Sequence, residues 1–202
     1  MGLDALRGNT TGNNNSAFGL QALRYNTIGQ ANSAIGYQSL FYNSTGVNNN
    51  AIGYRALYGN TIGTNNNALG TSALRENTTG VENVAVGFES LKANTTGYGN
   101  IGIGYAALTA NTTASDNTAI GCFAAYYTTS DNNTAIGSYS LYNHTTGSVN
   151  TAVGAYSLYN ISTGAGNVAL GYYAQYSYDL NYSTSLGYYA GYDNNQGYTV
   201  NI

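Results

Sequence analysis

Asn49-Asn50-Ala51-Ile52-Gly53-Tyr54-Arg55-Ala56-Leu57, followed by Asn60-Thr61-Ile62-Gly63, is one copy of a unit that fills the chain. Aligned on the glycine of the A-I-G triplet, the copies fall at Gly2, Gly19, Gly36, Gly53, Gly70, Gly87, Gly104, Gly121, Gly137, Gly154, Gly171 and Gly187, spaced by 17 residues with two intervals of 16. All 202 residues therefore form a single continuous repeat domain. The residue before the anchor glycine is always large and apolar: Met1, Phe18, Ile35, Ile52, Leu69, Val86, Ile103, Ile120, Ile136, Val153, Leu170 and Leu186. The position before that is Ala except at Gly102 and Ser185, so only a small side chain is tolerated there. Four residues ahead of the anchor an Asn recurs from Asn15 to Asn167, replaced by Ser183 in the last copy. Four residues after it Leu recurs, and an N-T-T-G cluster then ends on a glycine such as Gly12, Gly63 or Gly197.

A unit this short, with two glycines, cannot hold a helix pair, because each interior glycine costs about 1 kcal/mol relative to alanine. Strands and turns remain. The A-I-G-Y stretch reads as one short strand, the A-L stretch as a second, and N-T-T-G as a turn whose glycine supplies a positive φ. One repeat then makes one coil of an all-β parallel β-solenoid, or β-roll, of about twelve coils. Stacked about 4.8 Å apart, equal positions meet, so Asn lies on Asn and Leu on Leu, with amide ladders along the axis.

Successive strand residues point to opposite faces, yet Ala and the following Ile are both apolar, so both faces need cover. The coil encloses one. The other is an apolar stripe, the mark of an association surface. Energetics agree, since one Ile and one Leu per coil supply about 1.5–3 kcal/mol each against an ordering cost of about 1–2 kcal/mol for every residue.

Composition narrows the function. Leu, Ile, Val and Phe number only 37, there is no proline or tryptophan, and the net charge is -3. Five basic residues leave no electrostatic footprint for nucleic acid or an anionic membrane, and no apolar run is long enough to cross a bilayer. One cysteine, Cys122, and one histidine, His144, assemble no Cys/His metal cluster and imply no cofactor. Cys122 is expected to pack as a small apolar group, and His144 to be an ordinary turn residue. Catalysis needs an irregular cluster of groups, and a chain regular from end to end predicts no enzyme.

The unit resembles the repeats of phage tail fibres and, in its N-x-A-I-G core, the head domains of trimeric autotransporter adhesins. The resemblance covers the whole chain at the level of repeat type. It implies a left-handed parallel β-roll, three chains in one shaft, and an extracellular or virion-associated attachment role. The expected partner is the chain itself, as a homotrimer or as a filament stacked head to tail, together with cell-surface polysaccharide. A monomeric ice- or glycan-binding solenoid is a further alternative. Both ends are expected to be sticky sheet edges, with neither a capping helix nor a charged cap.

Three sets of side chains are candidates for function. The core and association ladder is Phe18, Ile35, Ile52, Leu69, Val86, Ile103, Ile120, Ile136, Val153, Leu170 and Leu186. Tyrosine is uneven, with seventeen of 22 from Tyr98 onward, and Tyr172, Tyr173, Tyr176, Tyr188, Tyr189 and Tyr192 are candidates for glycan contact, or for ladders that seal a seam between chains. Ten N-x-S/T sequons, at Asn9, Asn14, Asn43, Asn77, Asn94, Asn111, Asn132, Asn143, Asn160 and Asn181, are either glycan acceptors or by-products of an Asn/Thr-rich turn. Thr10, Thr27, Thr61, Thr78, Thr95 and Thr112 form a rank that could order water. Arg7, Arg24, Arg75 and Lys92 share one repeat position and read as a solvated stripe.

Overall fold

The computed structural model describes residues 2–196 and 199–202 and is a β-solenoid of about eleven turns. Met1 and Gly197, read as repeat positions, lie outside the described residues. Each coil contributes one strand: β1 Ser16–Phe18, β2 Ser33–Ile35, β3 Asn50–Ile52, β4 Asn67–Leu69, β5 Val84–Val86, β6 Ile101–Ile103, β7 Thr118–Ile120, β8 Thr134–Ile136, β9 Thr151–Val153, β10 Val168–Leu170, β11 Thr184–Leu186 and β12 Val200–Asn201. They form a single parallel sheet in chain order. Register follows the repeat, with Ala34 beside Ala51 and Ile35 beside Ile52. The shortened intervals leave it intact, since Ala119 still faces Ala135 and Ile120 faces Ile136.

The middle residue of each strand points inward and its neighbours point out. The inner space is narrow, which is why Ala fills it. At Gly102 the Ser90 hydroxyl occupies the missing methyl's place, donating to Gly102 O at 2.8 Å, while a Cβ there would lie 2.6 Å from that Oγ. Leu23, Leu40, Leu57, Leu74, Leu91, Leu108, Leu141 and Leu158 stack as a fully buried column against the alanines.

The A-L stretch is not a second strand. These leucines are left-handed, with φ between 48° and 54° from Leu6 to Leu158, and the residue two before each, such as Gln38 or Arg55, is left-handed as well. A non-glycine residue in this region costs about 1–2 kcal/mol. What holds it there is hydrogen bonding to both neighbouring coils. Gln38 N donates back to Leu20 O at 3.0 Å and Leu40 N forward to Ala56 O at 3.0 Å. Alternating handedness thus turns successive amides toward opposite neighbours, and Leu keeps its side chain in the core.

The two glycine ranks serve different ends. Anchor glycines from Gly19 to Gly171 have φ between 128° and 143°, and a Cβ would meet the next anchor's carbonyl oxygen at 2.2–2.6 Å. The turn glycine expected to supply a positive φ does not. Gly63 lies outside the left-handed region, and glycine is required because a Cβ would sit 2.4 Å from both Asn60 Oδ1 and Gly80 O.

Two asparagine ladders run inside the coil. In the first, Asn66 donates its N–H and Nδ2 to Asn49 Oδ1 at 3.0 and 3.2 Å and spans its own coil to Gly80 O at 2.8 Å. Asn83 repeats this on Asn66, and the rungs continue to Asn167 and end on Ser183 N. The second uses the turn asparagines, with Asn60 Nδ2 donating to Asn43 Oδ1 at 2.8 Å and Asn77 Nδ2 to Asn60 Oδ1 at 2.8 Å. It breaks where Ala114 stands in the turn-glycine rank. There Asn111 turns its amide onto Ala114, donating to its O at 3.0 Å and accepting from its N–H at 2.9 Å, and Asn94 Oδ1 is left buried without a partner.

Asn66→Ala removes several buried hydrogen bonds at once and is expected to cost about 3 kcal/mol or more, whereas Asn67→Ala, on the exposed face, is expected to cost about 0.5 kcal/mol or less. Ala114→Gly is expected to let Asn111 rejoin Asn94 and raise stability by about 1 kcal/mol, the repaired hydrogen bond outweighing the added chain entropy. Urea denaturation of the three variants measures all of these.

Candidate association face

The outer sheet surface carries the rank that the sequence marks for core and association. Of its eleven members Phe18, Ile35, Ile52, Leu69, Ile103, Ile120, Ile136, Leu170 and Leu186 are 36–68% exposed, and Val86 and Val153 are half-buried. None is in the coil interior. That space belongs to the Ala and Leu columns. Beside the rank, just past the anchor glycine, runs a second exposed row that includes Leu20, Tyr37, Tyr54, Phe88, Tyr105, Tyr172 and Tyr188. Cys122 lies in this row and is exposed, not packed as expected, because the position points away from the coil.

Aromatic rings make two further columns on the C-terminal half. Phe123, Tyr139, Tyr156, Tyr173 and Tyr189 stack with centroids 4.8–5.2 Å apart. Tyr126, Tyr142, Tyr159, Tyr176 and Tyr192 stack at 5.1–5.5 Å. The spacing is close to the rise per coil, so ring faces cover one another. The columns also touch, Tyr173 and Tyr176 approaching to 4.8 Å. Of the six tyrosines singled out for glycan contact, Tyr173, Tyr176, Tyr189 and Tyr192 belong to these columns, and Tyr172 and Tyr188 stack beside them at 5.5 Å. Stacking spends the faces that would lie against a sugar, leaving edges and hydroxyls. The columns reach back to Phe123 and Tyr126, a run that a 17-residue count from Tyr139 and Tyr142 would have found.

The sequons divide by repeat position. Asn43, Asn77, Asn94 and Asn111 are fully buried, and their Nδ2 atoms donate inside the coil. A glycan on that nitrogen would replace those bonds and has no space, so these four are ladder rungs and not acceptors in the folded chain. Asn9 is the half-buried first rung, accepting from Asn26 at 2.6 Å. Asn14, Asn132, Asn160 and Asn181 are exposed and Asn143 is half-buried, its Nδ2 donating to Asn160 Oδ1 at 2.9 Å. The threonine rank does not present free hydroxyls. Thr61 Oγ1 donates to Thr78 O at 3.0 Å, and Thr10, Thr27, Thr78 and Thr95 repeat the bond.

The basic stripe is paired, Arg7 and Arg24 both reaching Asp4 at 3.6 Å, Arg75 meeting Glu76 and Lys92 meeting Glu89. Arg55 instead lies over the Tyr54 and Tyr58 rings at 5.3 and 5.2 Å. His144 is no ordinary turn residue. It takes a rung of the second ladder, fully buried, with Nδ1 3.4 Å from Thr128 Oγ1 and Nε2 3.2 Å from Asn150 Nδ2. Burial pushes its pKa down to about 4, against a smaller opposing pull from Gly164 and Asp179. Among the described residues no group of His, Cys, Asp or Glu could hold a metal ion. No protein-family model, curated protein or solved structure matches this chain.

Two pH dependences follow from the buried rungs. The folded pKa of His144 lies below its unfolded value near 6.5. Its contribution to stability is therefore complete above pH 6.5 and is lost as pH falls toward 4. His144→Asn is expected to abolish that loss in denaturation curves across this window. Burial, followed by neighbouring phenols, raises the pKa of Tyr142, Tyr159 and Tyr176 above 10. Stability from the columns is accordingly complete below pH 10 and falls as pH climbs through the raised values, and tyrosinate absorbance is expected to appear late, together with loss of β structure.

Proposed function

We propose that this chain is a shaft segment of an extracellular attachment fibre of the phage tail-fibre or adhesin kind, working as a homotrimer and performing no catalysis. The observation that carries the reading is the unbroken apolar rank from Phe18 to Leu186 along one flank of the rod. In a lone chain this rank stays wet, and covering each half-exposed side chain is worth about 1 kcal/mol. Its rungs follow the coil spacing, so a second copy laid alongside meets the same rank at the same pitch, and closure about a threefold axis covers all three ranks at once. A stiff rod with side chains ordered by position suits a spacer that holds a binding end away from its base. Surface polysaccharide is the partner class at that end, and a virion or cell exterior its setting.

Light scattering coupled to size exclusion tests this directly. A mass near three chains is the expected result. A clean monomer overturns the reading in favour of a solitary solenoid, and an open-ended distribution of masses favours a self-assembling filament. Ile103→Asp combined with Ile136→Asp, both outward-facing, is expected to reduce the particle to one chain while leaving the β-sheet circular dichroism unchanged.

A further inference from the structure

Along much of the rod the turn column is closed by backbone alone. The N–H groups of Thr61, Ile62 and Gly63 converge on Thr78 O at 3.0, 3.3 and 3.3 Å, and those of Thr78, Thr79 and Gly80 on Thr95 O at 2.9, 3.1 and 3.2 Å. Successive N–H groups aimed at one point form a concave nest that favours negative charge. The coil that follows Ser162-Thr163-Gly164 is one residue short, with 16 residues from Gly171 to Gly187, and a side chain takes the carbonyl's place.

Asp179 is that side chain. Its carboxylate accepts from the N–H groups of Ser162 at 3.1 Å, Thr163 at 2.9 Å and Gly164 at 2.5 Å, and from the hydroxyls of Ser162 at 3.0 Å and Thr163 at 2.7 Å. Asn181 Oδ1 takes the next amide, Ala165 N, at 2.8 Å. Partial burial alone would raise the carboxyl's pKa, but these donors outweigh it and hold the group below its usual value. At the same level the interior turns polar. Gln175 stands in the leucine column, fully buried with both amide atoms unpartnered. Ser185 and Asn201 occupy the alanine column, and Ser183 replaces the ladder asparagine.

We infer that the C-terminal end of the solenoid is a built terminus, a carboxylate-plugged turn over a polar interior, at which the rod does not lengthen by stacking a second copy of itself. An incoming coil of this repeat would lay Ala and Leu on Asn and Gln and would meet a side chain where the turn column needs backbone. The inference rests on the chemistry of these rungs and holds whatever chain follows Ile202. It is independent of the apolar flank, because side-by-side association changes the number of chains per rod and end-to-end association changes its length. The charged cap that the sequence did not reveal is thus an aspartate inside a shortened coil.

The test has two parts. Asp179→Ala strips the plug, and its Tm is expected to drop by about 5 °C. Added formate, the carboxylate that the variant lacks, should restore the loss saturably, while chloride at equal ionic strength should not. Asp179→Asn keeps one acceptor oxygen, so a smaller drop is expected, with the turn still folded if the alanine variant is not. Formate behaving like chloride on both variants overturns the plug. Electron microscopy of wild-type rods at rising concentration should show one constant length, and lengths that grow with concentration overturn the terminus.

Discussion

A buried amide in a coil this narrow has few places to find a partner, and here the main one is an identical amide one coil away. The Asn49, Asn66 and Asn83 rungs each give two donors to the oxygen below and a third across their own coil. A one-residue slip would strand every one of them, at a cost of about 1–3 kcal/mol for each unpaired group. Register is therefore enforced by polarity more than by the core. The hydrophobic column, one leucine and small residues per coil, would tolerate more than the ladders do. This explains why the chain can drop a residue twice and keep its strands aligned. The deletions fall between the strands and their ladder, in the turns, and at each an aspartate accepts from the preceding turn, Asp131 from Ser115 N and Asp179 from Ser162 to Gly164.

The outside of the rod obeys the same stacking rule with different consequences. Whatever occupies a position is repeated at the coil spacing, so a single apolar choice becomes a stripe and a single tyrosine becomes a column. Rings at about 5 Å pack well, and the C-terminal half is stiffened by phenols that cover one another. The sheet's outer residues have no such outlet. Their neighbours along the axis touch only their edges, and the outward face of the Ile rank stays open. The difference between the two surfaces separates what the coil satisfies by itself from what a companion chain would cover.

Much of the architecture was legible because the repeat is long in number and short in period. The inward Ala, the parallel register and the first Asn ladder follow from spacing alone. The leucine turn was not legible, because left-handed leucine defies local preference and is held by bonds to two other coils that no single repeat reveals. The second ladder hid inside N-T-T-G, where Asn, Thr and Gly match an ordinary surface turn so well that its asparagines read as glycan acceptors. Its signal was the constancy of Asn26, Asn43, Asn60 and Asn77, where a solvated turn would accept several polar residues. Cys122 and His144 misled for the same reason. Each was judged by its residue type, when what decides its surroundings is the rank that it occupies.

The left-handed leucines also say how such a rod comes into being. No coil contains enough bonds of its own to hold Leu40 or Leu57 in that conformation, since the amides that justify it reach forward and back to neighbours. A first coil is consequently the costly one, and each later coil forms against a surface already shaped to receive it. Folding of this kind is nucleation followed by propagation along a line. The slow event is the making of a seed, and the same geometry that makes a lone coil unstable makes the finished rod hard to open anywhere but at its ends.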